Sequence, residues 1–230
     1  MLNIMFKYKH LKMRKLTTLF LVLIIPLFAF SQKLPKRFKL PLELEEVSGL
    51  YFQAPNKFWW HNDSGDQPKL YITDKKGKLT QTIFLEKIRN KDWEDLTHDD
   101  EGNIYIGDFG NNKNARQDLK IYIYHPEKKT LDSIAFTYPD QKIFPPPKPE
   151  RNFDMEGFFW YQGTLHLFSK NRLGVGNYFT KHYTLDAKPG SQVAVLKDKI
   201  FLKDRVVTAA AISPDGKTVA LLSYLSLIHI

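Results

Sequence analysis

The chain has 230 residues, a formal net charge of +9 and no cysteine. Without cysteine there is no disulfide framework, so stability has to come from a hydrophobic core, and a chain of this length can form one within a single domain. The positive charge is concentrated near the amino terminus, and the rest of the sequence lacks the basic stripe that nucleic-acid-binding proteins carry. We therefore expect no nucleic acid partner.

The first 31 residues have the pattern of a secretory signal peptide. Five basic residues precede an apolar run over residues 16–30, and no acidic residue occurs before Glu43. That run is shorter than the roughly 20 residues of a transmembrane helix, and the segment Ala29-Phe30-Ser31 supplies the small residues that signal peptidase accepts. We predict cleavage after Ser31, which lowers the net charge from +9 to +4. The mature chain is then exported to the periplasm, the outer surface or the medium without membrane insertion; an uncleaved membrane anchor is the alternative.

The sequence after residue 31 predicts an all-β protein. Short runs of β-branched and aromatic residues recur, and Gly, Pro, Asn or Asp bounds each run. Turn signals such as Asp100-Glu101-Gly102 and Pro214-Asp215-Gly216 separate them, since glycine adopts the positive φ that tight turns require. The clearest predicted strands are 57–61, 69–73, 103–107, 120–124, 164–168 and 218–223.

One unit recurs four times along the chain. It consists of an acidic or hydroxyl residue, a small or acidic residue, an apolar residue, a turn and a hydrophobic strand, and the copies begin at residues 46, 92, 154 and 206. Their spacing of about 50 residues is typical of four-stranded propeller blades. We predict that residues 32–224 form about four blades of a β-propeller. The proline-rich segment 144–149 is then an extended loop between the second and third blades; a domain boundary there is the alternative.

The last predicted blade is incomplete. Only one strand follows the turn at Pro214-Asp215-Gly216, and an unfinished blade would leave open strand edges. We therefore expect the propeller to be truncated in this chain. Residues 225–230 are apolar, without turn or capping residues, and we expect them to be a non-native or truncated tail.

Five motifs in a fixed order resemble a known family. They are Ser48-Gly49-Leu50, the HNDSGD segment 61–66, the DWEDL segment 92–96, the GDFGNN segment 107–112 followed by Arg116, and the segment 207–224. In this order they resemble a family of exported bacterial β-propellers, six-bladed when complete, most of whose members have no assigned activity. The resemblance spans most of the mature chain.

The chain also departs from the family pattern. Met155-Glu156-Gly157 stands where the pattern would have Ala-Glu-Ala or similar, and the last blades are missing. More distantly, the acidic residues at the blade starts are similar to gluconolactonase- and paraoxonase-type propellers. In those proteins Glu, Asn and Asp hold calcium in the central channel.

Carboxylate and amide side chains near the blade starts are the candidate metal ligands. The innermost strand of each propeller blade lines the central channel. Oxygens from separate blades could therefore supply the six to eight ligands that Ca²⁺ takes. The candidates are Asn62, Asp63, Glu94, Asp95, Asp108, Asn111 and Glu156. The alternative is that these side chains only accept hydrogen bonds from backbone N–H groups in turns.

His61 is the candidate catalytic residue. A neutral imidazole can serve as a general base, and the polar segment that follows His61 would suit a substrate loop. The same segment is also typical of an ordinary blade turn, in which His61 would have no chemical role.

Three cationic side chains are candidate ligand-binding residues. Arg116 offers a planar fork of donors for a carboxylate or phosphate, and its alternative is an internal ion pair with Glu94 or Asp95. Lys170 and Arg172 form a smaller basic cluster that could bind an anion or face solvent.

The sequence leaves three functions open. The first is an exported, calcium-stabilised module that binds a small-molecule or protein ligand. The alternative is a calcium-dependent hydrolase, of lactonase or phosphoesterase type, with its site at the central channel; a structural role in a larger assembly is the third. The chain has no G-x-S-x-G motif and no P-loop, which disfavours serine-type hydrolysis and nucleotide binding.

Overall fold

The computed structural model describes residues 39–172, 178–203 and 205–224, and the backbone of 226–229. The predicted signal peptide and its cleavage site lie outside the described residues. The described part contains sixteen β-strands and two short 3-10 helices, Leu42–Leu44 and Lys148–Glu150. Within these ranges, no helix has the length and apolar character needed to cross a membrane.

The strand bounds follow in chain order. They are β1 (Val47–Gln53), β2 (Lys57–Asn62), β3 (Lys69–Thr73), β4 (Leu79–Phe84), β5 (Trp93–His98), β6 (Ile104–Asp108), β7 (Lys120–His125), β8 (Thr130–Thr137), β9 (Asp154–Tyr161), β10 (Thr164–Lys170), β11 (Phe179–Asp186), β12 (Gly190–Val193), β13 (Val195–Phe201), β14 (Ala209–Ile212), β15 (Val219–Ser223) and β16 (Ser226–His229). Each of the six predicted strands is present, with bounds shifted by two residues at most. The segment 144–149, predicted as an extended loop, lies in the connection between β8 and β9, and its last two residues belong to the 3-10 helix Lys148–Glu150.

The strands form four sheets that follow one another along the chain. Sheet 1 contains β1 to β4, sheet 2 contains β5 to β8, sheet 3 contains β9, β10, β11 and β13, and sheet 4 contains β14 to β16. Pairing within each of these sets is antiparallel, and β12 joins the outer edge of sheet 2 by pairing parallel to β8. The all-β prediction is therefore confirmed. The first strand of each sheet begins within three residues of a repeat start.

The hydrophobic core lies between consecutive sheets. One buried cluster joins sheets 1 and 2 around Trp93, a second joins sheets 2 and 3 around Phe158, and a third joins sheets 3 and 4 around Leu221. All three side chains are fully buried. Burial of a large apolar side chain contributes about 1.5–3 kcal/mol, so these clusters stabilise the stacking of the sheets.

The first strands of the four sheets, β1, β5, β9 and β14, lie side by side in that order. The hydroxyl of Ser48 on β1 donates to the carbonyl of Glu94 on β5 at 2.6 Å. Gly157 allows β9 to approach β14 closely, because a Cβ at this position would lie 2.5 Å from the carbonyl carbon of Ala209. The polar residues of the first strands are consequently brought together.

Candidate functional site

Five carboxylates from sheets 1, 2 and 3 gather at the first strands. One oxygen each of Glu94, Asp154 and Glu156 lies within 4.8 Å of the others, and the same holds for Asp63, Asp92 and Glu94. Alternate residues of a strand point to the same face, so residues 92 and 94, like residues 154 and 156, present their carboxylates together. We call these five residues the acidic cluster. Glu94 belongs to both groups and lies at its centre.

Glu94 is buried and has a strongly raised pKa. Its exposed fraction is 8%. Burial, followed by the negative charges of Glu156 and Asp92, raises the pKa of Glu94 well above its usual value. Burial and the nearby Asp63 also raise the pKa of Asp92 to about 6. Glu94 and Asp92 therefore hold a proton more readily than free carboxyls unless a cation is bound.

The loop after β6 passes directly beside these carboxylates. The backbone N–H of Gly110 donates to the carbonyl of Asp92 at 3.1 Å, and that of Asn111 donates to Oδ1 of Asp154 at 2.6 Å. A Cβ on Gly110 would lie 2.3 Å from Oε1 of Glu94. Glycine leaves this space to the carboxylates, whose ends any side chain at residue 110 would have to displace.

Two cationic side chains border the acidic cluster. Nζ of Lys170 lies 2.9 Å from Oε1 of Glu156. Nε of Arg172 lies 2.5 Å from Oδ2 of Asp154, and the same guanidinium reaches Glu156 at 3.3 Å and also contacts Asn112. Burial and Asp154 nevertheless hold the pKa of Glu156 above its usual value. Two cations therefore only partly offset the five carboxylates.

Of the seven predicted metal ligands, the structure brings Asp63, Glu94 and Glu156 into the acidic cluster. Asp95 lies on the same strand as Glu94, and its oxygens accept backbone hydrogen bonds from Leu96 at 2.8 Å, Phe158 at 3.2 Å and Ala210 at 3.3 Å. These amides come from sheets 2, 3 and 4. Burial outweighs them and raises the pKa of Asp95 to about 8. Asp95 thus makes the backbone hydrogen bonds that the structural alternative expects.

Asp108 and Arg116 form an ion pair that shapes the loop between β6 and β7. A guanidinium nitrogen of Arg116 lies 3.0 Å from Oδ1 of Asp108. Arg116 also donates to the carbonyl of Gly110 at 2.8 Å and to Asp118 at 3.2 Å. Its carboxylate partners are therefore Asp108 and Asp118, not an acid of the segment 92–96. The guanidinium positions the backbone that lies against the acidic cluster.

The two predicted amide ligands organise the neighbouring loops. Nδ2 of Asn62 donates to the carbonyl of Glu43 and to Oδ2 of Asp66, both at 2.8 Å. Oδ1 of Asn111 accepts the backbone N–H of Ala115 at 2.8 Å. Both side chains therefore have structural hydrogen bonds beside the cluster.

His61 is completely buried. Its Nδ1 lies 2.9 Å from the carbonyl oxygen of Asn62, and its ring meets Trp93 edge-on with centroids 5.5 Å apart. A Cβ at Gly49 would lie 2.2 Å from Nε2 of His61, so the ring packs directly on the backbone of β1. Burial lowers the pKa of His61. A general base has to reach the proton that it abstracts, and this burial favours a packing role.

Sequence reasoning missed Asp92 and Asp154. Each stands two residues before a predicted ligand, Glu94 or Glu156. The period of two along a strand was the signal that could have identified them, because it places both carboxylates of each pair on one face.

Comparisons with known proteins give low similarity. No family model matches the chain, and no curated protein matches it. Among solved structures, hydrazine synthase of Kuenenia stuttgartiensis is 16% identical, with a TM-score of 0.45, over 88% of this chain and 49% of that one. A GH43 β-1,3-galactosidase is 15% identical, with a TM-score of 0.43, over 76% of this chain and 65% of that one.

A gluconolactonase of Xanthomonas campestris is 11% identical, with a TM-score of 0.42, over 80% of this chain and 71% of that one. The chain thus spans about half the length of the hydrazine synthase chain. With TM-scores of 0.45 or lower, these likenesses do not assign a function to this chain.

Proposed function

We propose that this chain is an exported β-propeller module that binds a ligand or partner at its central channel, with Ca²⁺ held by the acidic cluster. Four consecutive antiparallel sheets, with their first strands side by side, are the arrangement that neighbouring blades adopt around a propeller axis. The signal-peptide pattern of residues 1–31 supports export. Six blades in the complete ring is the number that the family resemblance implies.

The position of Glu94 carries the calcium proposal. Its carboxylate is shared between two groups of acids whose oxygens lie within 4.8 Å of one another. Carboxylates this close repel one another when ionised, and burial strengthens the repulsion. A divalent cation among them would offset the mutual repulsion that adds to burial in raising these pKa values. This is the electrostatic environment expected of a cation site whose ligands converge from separate strands.

The chemistry of the donors favours calcium over a transition metal. All five members of the acidic cluster offer carboxylate oxygens, whereas zinc, copper and nickel favour imidazole or thiolate ligands. Ca²⁺ also tolerates an irregular set of oxygens, because its coordination geometry is flexible. Asp63, Asp92, Glu94, Asp154 and Glu156 are therefore the proposed ligands.

A calcium-dependent lactonase or phosphoesterase would use the same ligands, but it would also need a base within reach of its substrate. The buried ring of His61 does not meet this requirement. The binding module is therefore favoured over the hydrolase.

Calorimetric titration with Ca²⁺ tests the proposal. The wild-type protein is expected to bind Ca²⁺ saturably. Glu94→Gln should weaken binding at least tenfold, because it removes the central charge at nearly constant volume. The matched control is Glu101→Gln in the exposed turn between β5 and β6, which should leave binding unchanged.

Absence of saturable binding to wild type, or equal affinity of wild type and Glu94→Gln, would overturn the calcium proposal. The calcium-loaded protein should also be screened against lactones and phosphoesters. If the wild-type protein turns over one of these compounds and Glu94→Gln does not, the hydrolase becomes the supported function in place of the binding module.

A further inference from the structure

Asn114 lies in the loop between β6 and β7 and is completely buried. Its backbone has a φ of 54°, a left-handed conformation that asparagine tolerates better than most residues. The backbone N–H of Asn114 donates to the carbonyl of Asn111 at 2.6 Å, and the carbonyl of Asn114 accepts Nε2 of Gln141 at 2.8 Å. The backbone of Asn114 is thus fixed by a hydrogen bond at each end.

The side chain of Asn114 connects this loop to sheet 3. Its Oδ1 accepts the backbone N–H of Phe153 at 2.8 Å, a bond between residues that are 39 positions apart. Its Nδ2 donates to the carbonyl of Asn111 at 3.1 Å. A single side-chain amide offers both a donor and an acceptor, so Asn114 binds its own loop and the segment before β9 at the same time.

Phe153 is the last residue before β9, which begins at Asp154. Its backbone groups lie outside the paired residues of the strand, and buried amide groups need partners of some kind. The loop supplies both, because Asn114 accepts the N–H and Nδ2 of Asn111 donates to the carbonyl at 3.2 Å. The backbone N–H of Asn111 also donates to Oδ1 of Asp154 at 2.6 Å. Hydrogen bonds from this loop therefore hold both residues.

Asp154 has a second partner that defines its position less closely. Nε of Arg172 lies 2.5 Å from Oδ2 of Asp154, and the side chain of Arg172 is 31% exposed. A long side chain at the surface keeps several rotamers, and an ion pair with it fixes the carboxylate weakly. Asp154 and Asn114 are both completely buried, so the bonds through Phe153 determine the position of the carboxylate more strictly.

We propose that Asn114 is a positioning residue for the acidic cluster, one that acts through the backbone of Phe153 to hold Asp154 beside Glu94 and Glu156. The inference rests on the calcium binding proposed above. Oxygens of these three acids lie within 4.8 Å of one another. Because Phe153 directly precedes Asp154, a shift of its backbone moves that carboxylate. Oδ1 of Asn114 is used by Phe153, so Asn114 supports a ligand and is not one itself.

Calorimetric titration of Asn114→Gly with Ca²⁺ tests this role in the full chain. The variant removes both side-chain bonds and keeps the backbone conformation, because glycine adopts a positive φ readily. The N–H of Phe153 loses its acceptor, its segment shifts, and Ca²⁺ affinity is expected to fall about tenfold. Lys129→Gly is the matched control and should bind as wild type does. Lys129 has nearly the same φ, 53°, in the turn between β7 and β8.

A double-mutant cycle separates positioning from a general loss of stability. The other four carboxylates of the acidic cluster remain in Asp154→Asn. In that background Asn114→Gly should change the residual Ca²⁺ affinity by less than about threefold, because the carboxylate that it positions is gone. Equal losses in both backgrounds would overturn the inference, since Asn114 would then act on the structure as a whole. An affinity of Asn114→Gly equal to that of wild type would overturn it as well.

Hydrogen exchange tests the same contact without calcium. The Phe153 amide should exchange about tenfold faster in Asn114→Gly. The amide of Lys181, which donates to Oγ of Ser169 at 2.9 Å in the same sheet, should be unchanged. Unchanged exchange at Phe153 would overturn the positioning role. A wild-type protein that binds no Ca²⁺ would overturn the proposed function, and the exchange rates would still decide whether Asn114 holds the segment that carries Asp154.

Discussion

The backbone of Gly110 and the carboxylate of Glu94 are in direct contact. Oε1 of Glu94 lies where a side chain on residue 110 would begin, at 2.3 Å from an added Cβ. Oδ2 of Asp92 would lie at 2.6 Å from the same atom. Both carboxylates therefore depend on the absence of a side chain at this position.

Gly110→Ala is accordingly expected to weaken Ca²⁺ binding about tenfold or more. The added methyl displaces the flexible ends of Glu94 and Asp92, so the loss should appear in affinity more than in stability. Gly107→Ala in β6, just before this loop, is the control for local crowding, because its methyl would meet the ring of Phe109 and not the acids. Calorimetry measures the Ca²⁺ affinity of both variants. An unchanged affinity in Gly110→Ala would show that the loop does not position the carboxylates that bind Ca²⁺.

The calcium-free protein should lose stability as pH rises, through Glu94. A carboxyl whose pKa is raised in the folded state binds more protons when folded, so the free energy of unfolding falls with pH above the unfolded value. That value is 4.5 for glutamate, and the folded pKa of Glu94 lies well above it. Glu94→Gln removes this contribution. We expect Glu94→Gln to gain thermal stability relative to wild type between pH 5 and pH 8 in the presence of chelator.

The comparison with the variant is needed because buried histidines act in the opposite direction. Their lowered pKa values make stability rise with pH near 6.5. This contribution is common to both proteins and cancels in the difference. A difference in melting temperature that stays constant from pH 5 to pH 8 would contradict the prediction.

Asp95 is expected to be required for folding and not for calcium binding. Its carboxylate accepts three backbone N–H groups in the interior, and a buried donor left without an acceptor costs about 1–3 kcal/mol. Asp95→Ala should therefore lower the free energy of unfolding by about 3 kcal/mol or more. Urea denaturation measures this loss. Asp215→Ala in an exposed turn should cost much less, and an equally small loss for Asp95→Ala would disprove the structural role.

Lys170 should compete with the metal. Its ammonium lies 2.9 Å from Glu156, so it occupies a ligand oxygen and repels a cation. Lys170→Met is expected to raise Ca²⁺ affinity about tenfold, or ~1.4 kcal/mol, as measured by calorimetry. Lys188→Met, at an exposed position, serves as the control. Weaker binding in Lys170→Met would mean that Lys170 positions Glu156 for the metal.

The sequence predicted the local features of the fold well. Strand β3 was located at both ends, because its short run of consecutive apolar residues lies beside a turn marked by Gly77. The repeat also located Glu94 and Glu156, since equivalent positions in successive sheets occupy equivalent places. Both predictions depend on residues that are near one another in the chain.

Features set by distant residues were not predictable. Asp95 and Glu94 are adjacent in sequence, and a strand turns such neighbours to opposite faces. Only the packing of the sheets decides which of the two side chains joins the acidic cluster and which accepts hydrogen bonds from the backbone. The burial of His61 depends on Gly49 in the adjacent strand. The parallel addition of β12 to sheet 2 likewise depends on a pairing across more than fifty residues.

The hydrogen bonds of Asp95 make the assembly of the sheets interdependent. Its carboxylate binds amides that are 63 and 115 positions further along the chain. Sheet 2 can satisfy only the bond to Leu96 by itself, so the remaining acceptor capacity is used only after β9 and β14 have docked. The hydrogen bonds of this one side chain thus couple the stability of parts that are distant in the chain. We expect sheets 2, 3 and 4 to unfold as a unit.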